Sequence, residues 1–288
     1  IYKIESFTPS KETPIEPNSY LAFDIETDSL KPELGEIIMV SLYSSNFKKV
    51  ITWKKQDTNK DFVEFVENEK ELLKRFKDYI LQIKPDFLVG YNSDAFDLPF
   101  IKKRSQILKI KLPIGIDKTE IKTKKGIPQT SEVTGMCHID LLRFIKTAYS
   151  QYMQSETLSL NEVGNEFLGE RKIDFEFKHS SKIKGKEWEK YYEYNLHDSK
   201  ITYKLLEKLL PDLIEFSKTI KEPPFKVSRN GLSRQIEGYI LHNLERFNEI
   251  PEKKPNQNEQ TSRLSQQKTQ GAFVYEPKPG LYENLAMF

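Results

Sequence analysis

Tyr20 to Ile25 is a short apolar run that ends among carboxylates, and the β-branched and aromatic runs Ile37–Tyr43 and Val50–Trp53 follow it. The turn-like Ser44-Ser45-Asn46 separates the last two, so the pattern predicts three adjacent strands in a meander. Glu71, Leu72, Leu73, Phe76, Tyr79, Ile80 and Ile83 then recur at helical spacing, with Pro85 closing the helix. Asp86 to Tyr91 reads as a fourth, buried strand, and helical spacing returns from about Asp97 to Leu108. From Lys109 to Thr134 lysines, prolines and glycines break the pattern, which predicts an extended loop or hairpin. Val133 to Asp140 resumes a strand, Leu158, Leu160, Val163 and Phe167 predict a helix, and Glu187 to Leu210 a long helix or a pair. Pro223-Pro224 marks a boundary. Beyond it Leu232, Ile236, Ile240 and Leu244 share a helix face, and the polar stretch Glu252 to Gln270 reads as a mobile connector. There is no internal repeat. Strands first and interleaved helices later predict an α/β fold with a mixed sheet flanked by helices, then a helical segment, with the break at residues 211–225.

Composition narrows this picture. The 288 residues suffice for one large domain or two small ones. Lys+Arg 45 against Asp+Glu 43 leaves a formal charge of +2, which excludes a polybasic or wholly acidic tail protein but not one that binds nucleic acid, because placement matters more than the sum. The lone Cys137 cannot form an internal disulfide or a cysteine-rich zinc site, and this favours an intracellular, cytoplasmic protein. No apolar run approaches the roughly 18 residues that span a bilayer, so no membrane partner is expected. The chain begins at Ile1 and ends on the apolar Leu285-Ala286-Met287-Phe288, so both ends read as cut from something longer.

Three short segments place acids where a sheet can use them. In Phe23-Asp24-Ile25-Glu26-Thr27, residues two apart on a strand project from one face, so Asp24 and Glu26 point together. Two carboxylates on one buried face are costly unless a cation neutralises them; a strand end emerging into solvent is the ordinary alternative. In Tyr91-Asn92-Ser93-Asp94-Ala95-Phe96-Asp97 an apolar strand runs into a polar turn and Asp97 opens a helix, where capping and the helix dipole also favour an aspartate. In Tyr194-Asn195-Leu196-His197-Asp198, Tyr194 and Asp198 share a helix face, as they would on any amphipathic edge. Their joint occurrence is more specific than any one of them. Four carboxylates from two strand or turn positions and one helix can converge on two divalent cations, and hard oxygen ligands select Mg²⁺ or Mn²⁺ over zinc. A metal pair of that kind serves phosphodiester cleavage.

FDIET, then YN-x-x-x-FD, then Y-x-x-x-D, in this order and spacing, resemble the three exonuclease motifs of the DEDD superfamily in its tyrosine-bearing branch. LAFDIET at Leu21, IIMVS at Ile37, VITWK at Val50, HIDL at His138, VSR at Val227 and GAFVYEPKPGLYEN at Gly271 are similar to an archaeal-type family B DNA polymerase, in the order that runs from its exonuclease domain towards its palm. The resemblance covers nearly the whole chain. It implies an RNase H-like exonuclease domain at 18–210 after a lead-in at 1–17, then linker helices and an incomplete palm at 211–288. It implies 3′–5′ proofreading hydrolysis of single-stranded or frayed DNA, with Asp24 and Glu26 binding both metals and Asp97 helping to bridge to the second. Asp198 would complete the first metal site and Tyr194 would orient the attacking water. Asn92 and Phe96 would lie near the frayed 3′ end, Phe96 stacking on or wedging a base, although a core phenylalanine fits that position equally well. Implied partners are a DNA 3′ end, the remaining polymerase domains in the same longer chain or a partner chain, and a sliding clamp.

The departures from the family are equally specific. GLYENLAMF stops before the metal-binding polymerase motif, so polymerase activity is not expected of this chain alone, and the family's Tyr-Gly-Gly segment reads Thr269-Gln270-Gly271-Ala272. Lysines concentrate after the second motif, and Lys122, Lys124 and Lys125 fall where the family has a hairpin, which implies contact with DNA phosphates. A second cluster, Lys178 to Lys190, reads better as a solvated surface. Arg229 lies where the family touches the DNA backbone, with structural tethering as the competing reading; Cys137, His138 and Asp140 stay unassigned, Asp140 reading best as a hydrogen-bonded core aspartate. Two rival functions are a free-standing exonuclease acting on RNA, against which the GAFVYEPKPGLYEN segment argues, and a non-catalytic scaffold half of a split polymerase.

Overall fold

The computed structural model describes residues 19–56, 58–124, 126, 129–170, 183–251, 253, 255–265, 271 and 278–283. The lead-in 1–17, Lys125, Lys178, Lys182, Thr269, Gln270 and most of the segment from Ala272 onwards lie outside the described residues. The chain divides into two compact units, Ile1–Asn243 and Leu244–Phe288.

In the first unit the strands β1 (Tyr20–Thr27), β2 (Ile37–Tyr43) and β3 (Lys48–Thr52) form the antiparallel meander read from their alternation. A short β4 (Val63–Phe65) adds in parallel to β3, and α1 (Glu69–Ile83) follows, its first turn capped by the Asn68 side chain on the Glu71 N–H. Next come β5 (Phe87–Gly90), α2 (Asp97–Ile107), the hairpin β6 (Lys122–Lys124) and β7 (Thr130–Glu132), and β8 (Cys137–Asp140). Then α3 (Leu141–Ala148), α4 (Leu160–Leu168), α5 (Glu187–Ile220), α6 (Pro224–Val227) and α7 (Leu232–Leu241) complete the unit. The main sheet has the order β4-β3-β2-β1-β5-β8, with β5 and β8 parallel to β1, so it is mixed and β1 is central.

Two apolar layers sandwich this sheet. Leu21, Phe23 and Ile25 of β1 pack with Leu72, Leu73 and Phe76 of α1 and with Leu98 and Ile101 of α2. On the opposite face Phe87, Val89 and Ile139 pack against Ile201, Leu205 and Leu206 of α5, while Ile38, Met39 and Val50 meet Trp188, Tyr191 and Tyr192 further up the same helix. The helix comes close to β2 because serines face each other there: Ser41 Oγ donates to Asn195 O at 2.8 Å and lies 2.6 Å from Ser199 Oγ, all buried. Only small side chains allow that approach.

Residues 187–220 form one helix, not a pair, and it passes residue 210 with Pro211 inside it. In the second unit a 3₁₀ turn (Leu244–Phe247) precedes α8 (Gln257–Ser265), which lies inside the stretch read from sequence as a mobile connector. A capping box explains the helix: Asn256 Oδ1 accepts the Glu259 N–H at 2.9 Å, and Glu259 Oε2 accepts the Asn256 N–H at 2.8 Å.

Candidate metal centre

Because Phe23 and Ile25 fill the layer under α1 and α2, the strand period turns Asp24 and Glu26 to the other face, towards α5. That helix presents Tyr191, Tyr194, Asn195 and Asp198 at positions i, i+3, i+4 and i+7, all buried and on one stripe. The register shift in the β1–β2 pairing falls between Glu26 and Thr27, at the end of the strand where its acids lie. Asp24, Glu26 and Asp198 each place a carboxylate oxygen within 4.8 Å of the others. The Asn195 amide donates to Asp24 Oδ2 at 2.7 Å and the Tyr191 hydroxyl donates to Glu26 Oε2 at 2.9 Å.

Asp97, the first residue of α2, comes from the other side of β1 and adjoins this group without entering it: its Oδ1 accepts the backbone N–H of Ile25, between the two strand acids, at 3.3 Å. Burial pushes its carboxyl up to about 7, with the charge of Asp140 acting in the same direction and backbone hydrogen bonds at Asp97 and Ile25 opposing it. The donor set fits a hard divalent cation. Three carboxylates this close, two of them buried, repel one another and pay for desolvation unless positive charge joins them, and a purely oxygen set favours Mg²⁺- or Mn²⁺-type ions.

The turn between β5 and α2 is organised from below by two further aspartates. Asn92 adopts φ 64°, a left-handed conformation that asparagine tolerates, and its N–H donates to Asp140 Oδ1 at 3.0 Å; the Asp94 N–H donates to Asp140 Oδ2 at 2.9 Å. Asp140 therefore acts as a core hydrogen-bonding aspartate and also caps α3 through the Arg143 N–H. Asn92 is exposed at this turn, whereas Phe96 is half-buried, with its ring 5.4 Å from that of Phe100.

Arg229 is not on the surface. Its guanidinium grips buried Asp94 (Nε to Oδ2 2.7 Å, Nη2 to Oδ1 3.2 Å), and Nη1 donates to the carbonyls of His138 at 2.9 Å and Phe225 at 3.0 Å. Of the two sequence readings, this placement fits structural tethering: the donors join α6 to β8 and to the turn after β5. Lys122 and Lys124 are exposed on the β6–β7 hairpin, away from the acid stripe in sequence and element; Lys122 Nζ donates to Thr134 Oγ1 at 3.0 Å. Their companion Lys125 lies outside the described residues.

The structure thus gathers Asp24, Glu26 and Asp198, sets Asp97 against the strand between the two β1 acids and Tyr194 on the Asp198 face of α5, and leaves Asn92 and Phe96 in the turn before α2 and Lys122 and Lys124 on the β6–β7 hairpin. Sequence reasoning missed Tyr191 and Asn195. The signal was present in their spacing from Asp198, seven and three residues, which places all of them on the Tyr194 face.

A profile of the DNA polymerase family B exonuclease domain matches residues 2–163. The chain is 35% identical over 274 residues to a DNA polymerase of Pyrococcus glycovorans, covering 92% of this chain and 34% of that one. It is 33% identical over 285 residues to DNA polymerase 1 of Pyrococcus abyssi, covering 95% and 36%. The fold superposes with a TM-score of 0.70 on the family B DNA polymerase of the hyperthermophilic archaeon Pyrobaculum calidifontis, at 24% identity over 94% of this chain and 34% of that one. The chain spans about a third of the length of these relatives.

Proposed function

The chain belongs to the family B DNA polymerases, through their exonuclease domain, and on that premise we propose that it removes nucleotides one at a time from the 3′ end of single-stranded or frayed DNA. In this reading it is the proofreading portion of a larger intracellular polymerase, whose remaining domains are its partners. The convergence of Asp24, Glu26 and Asp198 oxygens within 4.8 Å is the observation that carries the proposal. Those three residues, with Asp97, would hold two divalent cations, Mg²⁺ or Mn²⁺, which when bound supply the positive charge that activates water and stabilises the leaving oxygen. Tyr194, one helical turn from Asp198, orients the attacking water. The water oxygen gives up a proton to solvent and bonds to the terminal phosphorus; the bond from that phosphorus to the neighbouring 3′ oxygen breaks with its electron pair on that oxygen, which takes a proton from solvent to become the new 3′ hydroxyl, and a 5′-mononucleotide leaves. Exposed Asn92 and half-buried Phe96, at the mouth of the β5–α2 turn, receive the unpaired terminal nucleotide.

The test is digestion of a 5′-labelled single-stranded DNA oligonucleotide with Mg²⁺. A ladder shortening from the 3′ end is expected, and the double change Asp24→Ala with Glu26→Ala should reduce it to the chelator background. Undiminished digestion by the double variant would remove the assignment. Preference for a matched RNA oligonucleotide would favour the free-standing RNA exonuclease instead.

A further inference from the structure

We propose that Tyr191 is a positioning residue of the metal centre, holding the Glu26 carboxylate in the orientation from which it binds a divalent cation. The inference rests on the functional reading above and deepens it. Glu26 is 7% exposed and Tyr191 3% exposed, and the hydroxyl donates to Oε2 at 2.9 Å. Glutamate has three side-chain torsions, so a carboxylate pointing from a strand into a helix face must be fixed from outside if its oxygens are to stay within 4.8 Å of those of Asp24 and Asp198. Tyr191 is itself fixed: its ring lies 5.9 Å from that of Trp188 and 6.4 Å from that of Tyr194, on a helix that the opposed serines seat against β2.

The chemistry of the donor distinguishes this contact from a purely structural one. Elsewhere the chain buries a glutamate with an arginine: Glu69, 3% exposed, accepts from Arg104 Nε at 2.8 Å and from the Ile37 N–H at 2.8 Å. A guanidinium there occupies both oxygens and brings a full positive charge, which would oppose a cation at the same carboxylate. A phenol supplies one neutral hydrogen bond and takes one of roughly four acceptor positions on the carboxylate. The contact therefore orients the ligand while preserving its negative charge. Asn195 plays the matching part for Asp24, with a neutral amide donor at 2.7 Å.

The test is calorimetric titration of Mn²⁺ into the purified chain after chelator treatment, for the wild type, Tyr191→Phe, Tyr192→Phe and the Asp24→Ala/Glu26→Ala double variant. Tyr192 is the control, since its hydroxyl donates to Lys54 O at 2.7 Å and not to the acids. The expected result is a Kd for Mn²⁺ raised about tenfold in Tyr191→Phe, as for loss of other outer hydrogen-bond partners of metal ligands. Tyr192→Phe should match the wild type. In the nuclease assay Tyr191→Phe should need correspondingly more Mn²⁺ for half-maximal rate, yet reach the wild-type plateau. An unchanged Kd in Tyr191→Phe overturns the proposal while leaving the nuclease reading intact. A Tyr191→Phe chain that no longer folds in chelator, by circular dichroism, also overturns it, because the hydroxyl would then be holding the fold and not the ligand. Absence of Mn²⁺ binding by the wild type, or its persistence in the double alanine variant, overturns both.

Discussion

Buried polar residues in this chain answer to two different physical demands, and His138 shows the one unrelated to metal. The ring is fully enclosed on β8, with Nε2 2.8 Å from Ser93 Oγ and Nδ1 3.0 Å from Ser131 O; Arg229 Nη2 lies 3.1 Å and Asp94 Oδ1 3.5 Å from Nδ1. Burial pushes its pKa down to about 4, the Arg229 charge adds to this, and Asp94 and the Ser131 carbonyl only partly oppose it. Below the ordinary histidine value near 6.5 the unfolded chain takes up a proton that the folded ring refuses until about pH 4, so this residue's stabilisation is complete above pH 6.5 and is lost as pH falls towards 4. The loss is on the order of 3 kcal/mol. Asp140, raised to about 6 chiefly by burial, contributes a slope of the opposite sign, so the histidine must be isolated by comparison. Urea unfolding of the wild type and His138→Gln at several pH values between 7.5 and 4.5 provides that comparison. The stability gap between them should shrink as pH falls; a pH-independent gap would contradict the assignment of a neutral buried ring.

At the scale of elements, the place of Asp97 beside the acid group depends on how β5 turns into α2. Gly90 ends the strand in a space where an added Cβ would lie 2.4 Å from both Cβ and Oγ of Ser93 and 3.3 Å from Phe23 Cε1. Ser93 in turn accepts the Leu98 N–H through its carbonyl at 3.1 Å, so it ties the strand end to the first turn of α2, where Asp97 sits. Gly90→Ala should therefore destabilise the chain by roughly 1–3 kcal/mol through overpacking. In the same denaturant titration, Gly90→Ala should cost less in a Ser93→Gly background, which lacks the clashing atoms, than in the wild type; the hydroxyl contact with His138 is missing from both members of that second pair and cancels. An equal cost in the two backgrounds would mean that the turn is held by something other than this contact.

The elements also show what a one-dimensional pattern can carry. The meander and α1 were legible because their apolar positions repeat long enough to define a period. The helix α3 was hidden, since it starts immediately after β8 and the run from Ile139 to Leu142 continues apolar through the change; Asp140, which caps it, was the only punctuation. Likewise β4 has three half-buried residues, too few to set a period, and depends on β3 for its hydrogen bonds. In the site, Asp24, Glu26 and Asp198 were legible from motif order, whereas the burial of Arg229 was not. Its partner Asp94 is 135 residues away and its role is fixed by tertiary packing alone.

For the whole molecule, a net charge of +2 says little about DNA until the charges are placed. Acids of the metal centre lie between β1 and α5, while Lys122 and Lys124 stand on the exposed β6–β7 hairpin, Lys124 with 78% of its side chain open to solvent. Lys124 lies 3.7 Å from Glu132, an exposed pair worth little against a phosphate. Lys102 Nζ, on α2, donates to Thr123 Oγ1 of the hairpin at 3.0 Å, which joins the helix that begins at Asp97 to the basic strand. A single strand leaving the acid stripe along α2 would therefore meet this hairpin. Each phosphate neutralised contributes about 0.7 to the magnitude of the slope of log K against log salt for a single strand. Lys122→Ala with Lys124→Ala should weaken binding of a labelled single-stranded oligonucleotide, measured by anisotropy in chelator from 50 to 200 mM salt. The slope should flatten by about 0.7 for each phosphate that is no longer neutralised. Cleavage of a dinucleotide, which offers no phosphate beyond the one that is cut, should be unaffected by the same double change. An unchanged slope would place the strand's path on another face, and a slower dinucleotide reaction would mean that the lysines act on the metal centre itself.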